Sequence, residues 1–172
     1  VHGVTGSGKT FVYLELIREC LSKGRSAFLL APEVALACQL KANVEEYLDE
    51  YRDSLPKGVE LLFHHGYQPP RQREEHFARL AASGGPRIIV GTRSALFLPA
   101  ADPGLVILDE EHDASFKQDE RLVYQAKEVA FHMMKRARGM LILGSATPDV
   151  KSFYAAEKGQ VERVTFTQRV GG

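Results

Sequence analysis

Two groups of residues, well separated along the chain, have the side chains needed to bind and activate a phosphate chain. The first is the string GVTGSGKT at residues 3–10, which fits the pattern G-x-x-x-x-G-K-[ST]. In such a loop, small residues let successive backbone N–H groups surround phosphate oxygens, Lys9 reaches the terminal phosphates and the Thr10 hydroxyl ligates magnesium. The residues of this predicted nucleotide site are Gly3, Thr5, Gly6, Ser7, Gly8, Lys9 and Thr10.

The second group is a pair of carboxylates, Asp109 and Glu110, that directly follow the apolar run at residues 105–108. Ligands of open parallel sheets bind where the strands end, so both carboxylates would face the phosphates. Asp109 would hold the magnesium ion and Glu110 would orient and deprotonate the attacking water, since phosphoryl transfer needs positioning and charge neutralisation more than covalent help. The alternative is an acidic helix cap, which needs only one carboxylate, whereas this segment has several.

Composition limits the class of protein. The 172 residues are 44% hydrophobic and carry a formal net charge of zero, which describes one globular domain with an adequate core. Any DNA contact must therefore come from local basic clusters or helix N-termini. Cys20 and Cys38 lack C-x-x-C spacing and lie in stretches of helical periodicity, so we expect buried, reduced thiols in an intracellular setting. No apolar run approaches the length of a membrane span, so we expect no membrane contact and a soluble, cytoplasmic protein.

Short β-rich runs alternate with longer amphipathic stretches, which predicts an α/β fold: a parallel sheet with helices on both faces. We expect the first helix to begin near Gly8, to end at Gly24 and to point its N-terminus at the bound phosphates. Its buried face would carry Tyr13, Leu14, Ile17 and Leu21. The predicted strands are residues 26–31, 59–64, 87–90, 105–108, 140–143 and 161–166.

Five segments, taken in order, resemble those of one helicase family. Besides the phosphate loop and DEEHDASFKQ at residues 109–118, the chain contains APEVAL at 31–36, GTRSALF at 91–97 and LGSATP at 143–148. Together they resemble the PriA type of primosomal replication-restart helicase, in helicase superfamily two. The resemblance implies a RecA-like P-loop NTPase lobe, the first of two motor lobes. Residues 1–172 would then form a single ATP-binding domain, with the second lobe and the DNA-binding domains outside it.

The same resemblance implies a coupling role for three residues near the acids. His112 would link the ATP site to Ser145 and Thr147, whose hydroxyls can change partners when the terminal phosphate leaves. From the residues alone, Ser145 and Thr147 can instead belong to a turn between a strand and a helix that starts at Pro148. The two interpretations are compatible.

DNA contacts in such lobes come from loops on the sheet edge away from the ATP, which here are residues 32–36 and 91–94. Thr92, Arg93 and Ser94 would offer a helix N-terminus, an arginine and hydroxyls to the phosphate backbone, giving affinity without reading sequence. The alternative for Arg93 is a surface ion pair with a nearby acid.

A segment next to the catalytic acids combines aromatic and basic side chains. It begins at Ser115, continues through Phe116, Lys117 and Gln118, and reaches Tyr124. Such a loop can stack on single-stranded bases, and it resembles the family's aromatic-rich coupling loop. The alternative is that Phe116 and Tyr124 are core or lid residues.

For the parent protein, the resemblance implies ATP-dependent translocation along single-stranded DNA with 3′ to 5′ polarity and unwinding at stalled forks. The implied cofactors are ATP and Mg²⁺, and the implied partners are single-stranded and forked DNA, other primosome proteins and single-stranded-DNA-binding protein. Two other classes stay open: a lobe of a duplex-DNA translocase of restriction or remodelling type, and a non-catalytic nucleotide-binding scaffold. We expect the isolated lobe to be nearly inactive, because an arginine finger from a second lobe is worth roughly a thousandfold or more in turnover.

Overall fold

The structure, a computed structural model, describes residues 1–3, 7–82, 84–120 and 122–166. Within these ranges the strands are β1 (His2–Gly3), β2 (Ser26–Leu30), β3 (Glu60–His64), β4 (Arg87–Gly91), β5 (Pro103–Asp109), β6 (Lys117–Gln118), β7 (Tyr124–Gln125), β8 (Met140–Gly144) and β9 (Thr165–Phe166). The α-helices are α1 (Lys9–Ser22), α2 (Val34–Glu50), α3 (Pro70–Ala82), α4 (Ala126–Ala137) and α5 (Val150–Glu157). Short 3₁₀ helices are found at Arg52–Ser54, Arg93–Phe97 and Ala114–Phe116.

Five of the strands form a parallel sheet in the order β3-β4-β2-β5-β8. All its neighbouring strands are parallel, so the chain must cross over between them, and helices make most of these connections. β1 and β9 form a separate parallel pair, and β6 and β7 form an antiparallel pair. The predicted α/β fold with a parallel sheet is therefore confirmed.

Helices cover both faces of this sheet, and the central strand β2 shows it directly. All five of its residues are buried. Ala27 and Leu29 pack in a cluster with α1 and α2, whereas Phe28 and Leu30 pack in a second cluster with α4 and with Leu80 of α3. A continuous apolar run is what a parallel strand needs when both of its faces are buried.

Helix α1 begins where the sequence predicts. Gly8 is its N-cap with a φ of 86°, Lys9 is its first residue, and the predicted apolar face is buried. After the helix, Gly24 has a φ of 72° and donates its N–H to the carbonyl of Leu21 at 2.8 Å. Glycine adopts this left-handed conformation without a Cβ clash, so the helix ends there.

The structure corrects two sequence predictions, one on the length of a strand and one on the burial of a cysteine. The strand expected at 161–166 is only Thr165–Phe166, and the apolar residues before it, Val161 and Val164, are exposed. Cys20 is buried, but Cys38 is exposed on α2, where its neighbour Ala37 takes the buried position.

In the described part of the chain, the helices are too short or too polar to cross a membrane.

Candidate nucleotide-binding site

The phosphate loop and the acids lie together at the carboxyl edge of the sheet. β5 ends at Asp109, which pairs in register with Gly144 at the end of β8. Lys9 Nζ lies 4.0 Å from Glu110 Oε1 and donates a hydrogen bond to the carbonyl of Gly3 at 2.6 Å. The structure thus brings together two groups that are far apart in sequence.

The described residues of the phosphate loop fit a phosphate ligand. Lys9 is only 8% exposed, so its ammonium is largely removed from water. Ser7 Oγ is buried and has no hydrogen-bond partner among the described residues. A phosphate would supply the hydrogen-bond partner that Ser7 Oγ lacks and would place a negative charge beside the Lys9 ammonium, whose burial is otherwise costly. Thr10 is partly exposed on the first turn of α1, whereas Thr5 and Gly6 lie outside the described residues.

Asp109 has a partner that the sequence analysis missed. The Tyr13 hydroxyl donates a hydrogen bond to Asp109 Oδ1 at 2.9 Å. Burial raises the pKa of Asp109, and the hydrogen bond from Tyr13 opposes that rise. Burial also raises the pKa of Tyr13, so the phenol keeps its proton and remains a donor. The signal was present, because Tyr13 follows Lys9 by four residues and such residues share a helix face.

We expect Asp109→Asn to stabilise the nucleotide-free, magnesium-free chain. The pKa of Asp109 is higher in the folded state than in the unfolded state. At a pH above the unfolded-state pKa, the folded state therefore binds more protons than the unfolded state. The free energy of unfolding thus falls as pH rises through the raised pKa. At pH 7 the buried carboxylate therefore destabilises the fold, and a neutral amide removes that effect. Urea unfolding should show a gain of about 0.5–2 kcal/mol.

The exposed Asp53→Asn variant is the matched control, for which we expect no change in stability. The gain of Asp109→Asn should shrink in acid, where the wild-type carboxyl is protonated. An Asp109→Asn protein that is less stable than wild type at pH 7 would contradict this account of the buried carboxylate.

Glu110 has a strained backbone. Its φ is 50°, in the left-handed region that side chains with a Cβ rarely adopt. Its carboxylate lies between Lys9 and His112, with Oε2 3.6 Å from His112 Nδ1. The turn is held from both sides, because Glu111 N–H donates to the carbonyl of Gly144 and Asp113 N–H donates to the carbonyl of Glu110. Strain of this kind clusters at functional sites.

The three residues predicted to couple the site are in contact. His112 Nδ1 lies 2.8 Å from Ser145 Oγ, and the backbone N–H of Thr147 donates to the same oxygen at 2.9 Å. These residues also form the turn of the alternative interpretation. However, the next helix begins at Val150 with Asp149 as its N-cap, so the expected helix start at Pro148 is wrong. The coupling role itself stays a prediction.

Gly144 has no room for a side chain beside these groups. A Cβ there would lie 1.7 Å from the Tyr13 hydroxyl oxygen, and Tyr13 is fully buried and unable to swing away. We expect Gly144→Ala to destabilise the chain by about 1–3 kcal/mol, as overpacking does. Urea unfolding measures the loss, with Gly84→Ala as control, since a Cβ at Gly84 meets nothing within 4 Å. Equal stability of the two variants would contradict the packing described here.

Comparison with known proteins identifies the family. A family model described as DEAD/DEAH box helicase matches residues 1–155. The chain belongs to the DEAD/DEAH box helicase family. Membership in this family implies nucleotide binding.

The relatives of this DEAD/DEAH box lobe agree with the resemblance seen in the five segments. The chain is 37% identical over 170 residues to the replication restart protein PriA of Bacillus subtilis, and 37% identical over 172 residues to that of Treponema pallidum. The predicted resemblance to PriA-type helicases is therefore confirmed. These alignments cover 99% and 100% of this chain but only 20% and 25% of the relatives, so the chain spans a quarter or less of their length.

The fold also matches a solved DEAD-box protein. The crystal structure of the yeast DEAD-box splicing factor Prp28 superposes with a TM-score of 0.66 at 18% identity, over 99% of this chain and 42% of that one. At this level of identity the likeness shows the fold alone. The predicted RecA-like architecture of the lobe is confirmed.

The loops predicted to contact DNA lie at the same sheet edge of the DEAD/DEAH box lobe as the nucleotide groups. Leu30 at the end of β2 is in register with Gly91 of β4 and with Leu108 of β5. The prediction that residues 32–36 and 91–94 lie at the opposite edge is therefore wrong, because the carboxyl ends of parallel strands share one edge. The two loops follow β2 and β4, which lie on one side of β5 in the strand order, so along this edge they lie to one side of the acids.

Arg93 is held by the segment that follows the acids. Its guanidinium donates to the carbonyls of Ser115 and Lys117, the latter at 2.7 Å, and to the side-chain oxygen of Gln118. These partners are neutral oxygens, so the alternative of an ion pair with an acid is not what the structure shows. Arg93 instead ties the GTRS loop to strand β6, and its contact with DNA stays a prediction.

Thr92 and Ser94 flank Arg93 at the start of a short 3₁₀ helix. Thr92 is its N-cap, so the predicted helix start is present, although the helix is only the five residues Arg93–Phe97. Ser94 Oγ is buried and has no hydrogen-bond partner within the described ranges. Their role toward DNA stays a prediction.

Phe116 is buried, so its ring is not available to stack on bases. It is 1% exposed and belongs to the core cluster on the α4 face of the sheet, so the alternative interpretation as a core residue is the correct one. The 3₁₀ helix Ala114–Phe116 turns the ring inward. The neighbouring Lys117 is exposed and pairs with Asp119 at 2.8 Å. The aromatic contact nearer the surface is the edge-to-face pair of Phe97 and Tyr124, with ring centroids 5.0 Å apart.

Proposed function

We propose that this chain is the ATP-binding motor lobe of an ATP-dependent 3′ to 5′ DNA helicase that acts in replication restart at stalled forks. The observation that carries the proposal is the meeting of Lys9 and Glu110, 4.0 Å apart, beside Asp109 at the end of β5. Relatives named replication restart protein PriA match the whole of this lobe, which supports the biological role. Residues 1–172 form one motor domain, and a second lobe supplies the rest of the nucleotide pocket.

The chemistry proposed for the site is hydrolysis of ATP with Mg²⁺. Lys9, Ser7 and the amides of the phosphate loop hold the phosphates, and Thr10 and Asp109 hold the metal. The bound magnesium ion supplies neutralisation of phosphate charge. Glu110 orients the attacking water and accepts its proton at the carboxylate.

Tyr13 and the acid loop keep these groups in place. The phenol of Tyr13 holds one oxygen of Asp109 at 2.9 Å and so orients the carboxylate for the metal. His112 joins the loop to Ser145 through a 2.8 Å contact. We propose that this contact changes when the terminal phosphate leaves, and that the change drives movement on DNA.

The proposed DNA surface lies beside the nucleotide site along the same sheet edge. Thr92, Arg93, Ser94 and Lys117 contact the phosphate backbone there, which gives binding that is independent of sequence and weakens with salt. The proposed partners of the intact protein are single-stranded and forked DNA, other primosome proteins and single-stranded-DNA-binding protein.

The test uses the full-length protein with forked DNA and with duplexes that carry a 3′ or a 5′ single-stranded tail. We expect single-stranded DNA to stimulate ATP hydrolysis. We also expect strand separation to require a 3′ tail, since the proposed movement is from 3′ to 5′. Hydrolysis stimulated by duplex DNA without strand separation would instead indicate a duplex translocase. Nucleotide binding without hydrolysis would indicate a scaffold. The isolated lobe should hydrolyse ATP negligibly, and vigorous DNA-stimulated turnover by it would contradict the two-lobe account.

A further inference from the structure

Glu111, the third acid of the DEEH segment, is buried inside the protein. Its side chain is 1% exposed. The carboxylate accepts hydrogen bonds from Lys127 Nζ at 2.7 Å, from the backbone N–H of Asp149 at 2.9 Å and from Ser152 Oγ at 3.1 Å. One buried carboxylate therefore fastens the acid loop to both α4 and α5.

Lys127 is the cation of this network. Its ammonium also donates to the carboxylate of Asp149, which in turn accepts the N–H of Ser152 at 2.9 Å and caps α5. Burial disfavours the charge of Lys127, but hydrogen bonds to Asp149 and Glu111 outweigh that effect and raise its pKa. A single ammonium thus holds the acid loop, the first turn of α4 and the start of α5 in one arrangement.

The position of Lys127 connects this network to the proposed DNA surface. It is the second residue of α4, which directly follows β7. β7 pairs with β6, and the carbonyl of Lys117 and the side chain of Gln118 in β6 accept hydrogen bonds from Arg93. A continuous path of contacts therefore runs from Arg93 through the β6–β7 pair to Lys127 and on to Glu111, which adjoins Glu110 in the chain.

We propose that Lys127 is a positioning residue that transmits DNA contact at the β6–β7 pair to the nucleotide site through its hold on Glu111. The inference rests on the proposed helicase function and names the route by which DNA stimulates hydrolysis. A buried ion pair adds little net stability compared with well-packed apolar residues, so stability alone does not account for this network. A network that fixes one arrangement of three elements does account for it.

The experiment compares full-length wild type with Lys127→Met, measuring kcat and KM for ATP with and without single-stranded DNA. We expect the DNA stimulation of kcat to fall roughly five- to fiftyfold, the size of a typical coupling between sites, while KM for ATP stays at the wild-type value. Lys127→Arg should keep most of the stimulation, because a guanidinium can pair with both carboxylates. Lys135→Met, on the exposed side of the same helix, is the matched control and should behave as wild type.

A double variant, Glu111→Gln with Lys127→Met, separates coupling from folding. It removes the charges of Glu111 and Lys127, and the Asp149 carboxylate that remains is 27% exposed and still accepts the N–H of Ser152, so the variant should unfold at a similar urea concentration to wild type. A purely structural role predicts that DNA stimulation recovers together with stability. The proposed positioning role predicts that stimulation stays low in the folded double variant.

The outcomes distinguish this inference from the proposed function. If wild type hydrolyses ATP with DNA stimulation and Lys127→Met or the double variant retains it, the inference is overturned and the helicase function stands. If wild type shows no stimulation by DNA, the proposed function fails and the inference fails with it.

Discussion

Replacing Glu110 by glutamine is expected to lower ATP hydrolysis by the full-length protein roughly 10²–10⁴-fold, the range that a general base contributes. Glutamine keeps the size of the side chain and its contact with Lys9, but it cannot accept the proton of the attacking water. Nucleotide affinity should therefore persist. Steady-state hydrolysis with saturating single-stranded DNA measures the rate, and binding of a fluorescent ADP analogue measures the affinity.

A matched control is Glu46→Gln, which changes an exposed carboxylate on α2 in the same way. We expect this variant to hydrolyse ATP at the wild-type rate. If Glu110→Gln retained wild-type turnover, the base would have to be another group and the left-handed backbone of Glu110 would need a different explanation. If it lost nucleotide binding as well, its main role would be to hold the phosphate loop.

Lys9→Ala is expected to weaken nucleotide binding by roughly a hundredfold or more. Removing one member of a buried, hydrogen-bonded charge pair typically costs 2–5 kcal/mol or more in affinity, so we expect a loss of about that size. Lys9 is 8% exposed and its Nζ lies 4.0 Å from Glu110 Oε1, so its charge is buried beside the acids, where we propose that the phosphate oxygens lie. Titration of the full-length protein with a fluorescent nucleotide measures the loss.

The control for this variant is Lys41→Ala, which removes a partly exposed lysine paired with Glu45 one turn along α2. Such surface pairs contribute little, so nucleotide affinity and folding should not change. Circular dichroism should show that Lys9→Ala is folded. Nucleotide binding by Lys9→Ala at the wild-type affinity would contradict the placement of the phosphates in this loop.

The positions of Lys9, Asp109 and Glu110 could be predicted because Lys9 lies at the start of a helix and the two acids lie at the end of a strand. Gly8 starts α1 and so sets Lys9 at its first turn, and the apolar run of β5 ends at Asp109. Parallel pairing then brings those ends to one edge of the sheet. Short-range pattern and a general rule of topology were sufficient for this part of the site.

The orientation of neighbouring side chains could not be predicted from their types. Glu110 and Glu111 are chemically alike, but the φ of 50° at Glu110 turns the chain so that Glu111 enters the core. The burial of Phe116 could not be predicted, because the 3₁₀ helix that contains it has only three residues and is too short to give a periodic pattern. Its aromatic type therefore suggested a stacking residue. The partners of Arg93 and Lys127 depend on tertiary contacts far away in the chain.

The central claim is that the phosphate loop and the acids of β5 hold one magnesium nucleotide between them. Calorimetric titration of the full-length protein with ADP, with and without Mg²⁺, tests it most directly in wild type and in Asp109→Asn. We expect wild type to bind one nucleotide per chain more tightly with Mg²⁺, and Asp109→Asn to lose that magnesium dependence. No nucleotide uptake by the intact wild type, or the same magnesium dependence in both proteins, would contradict the account.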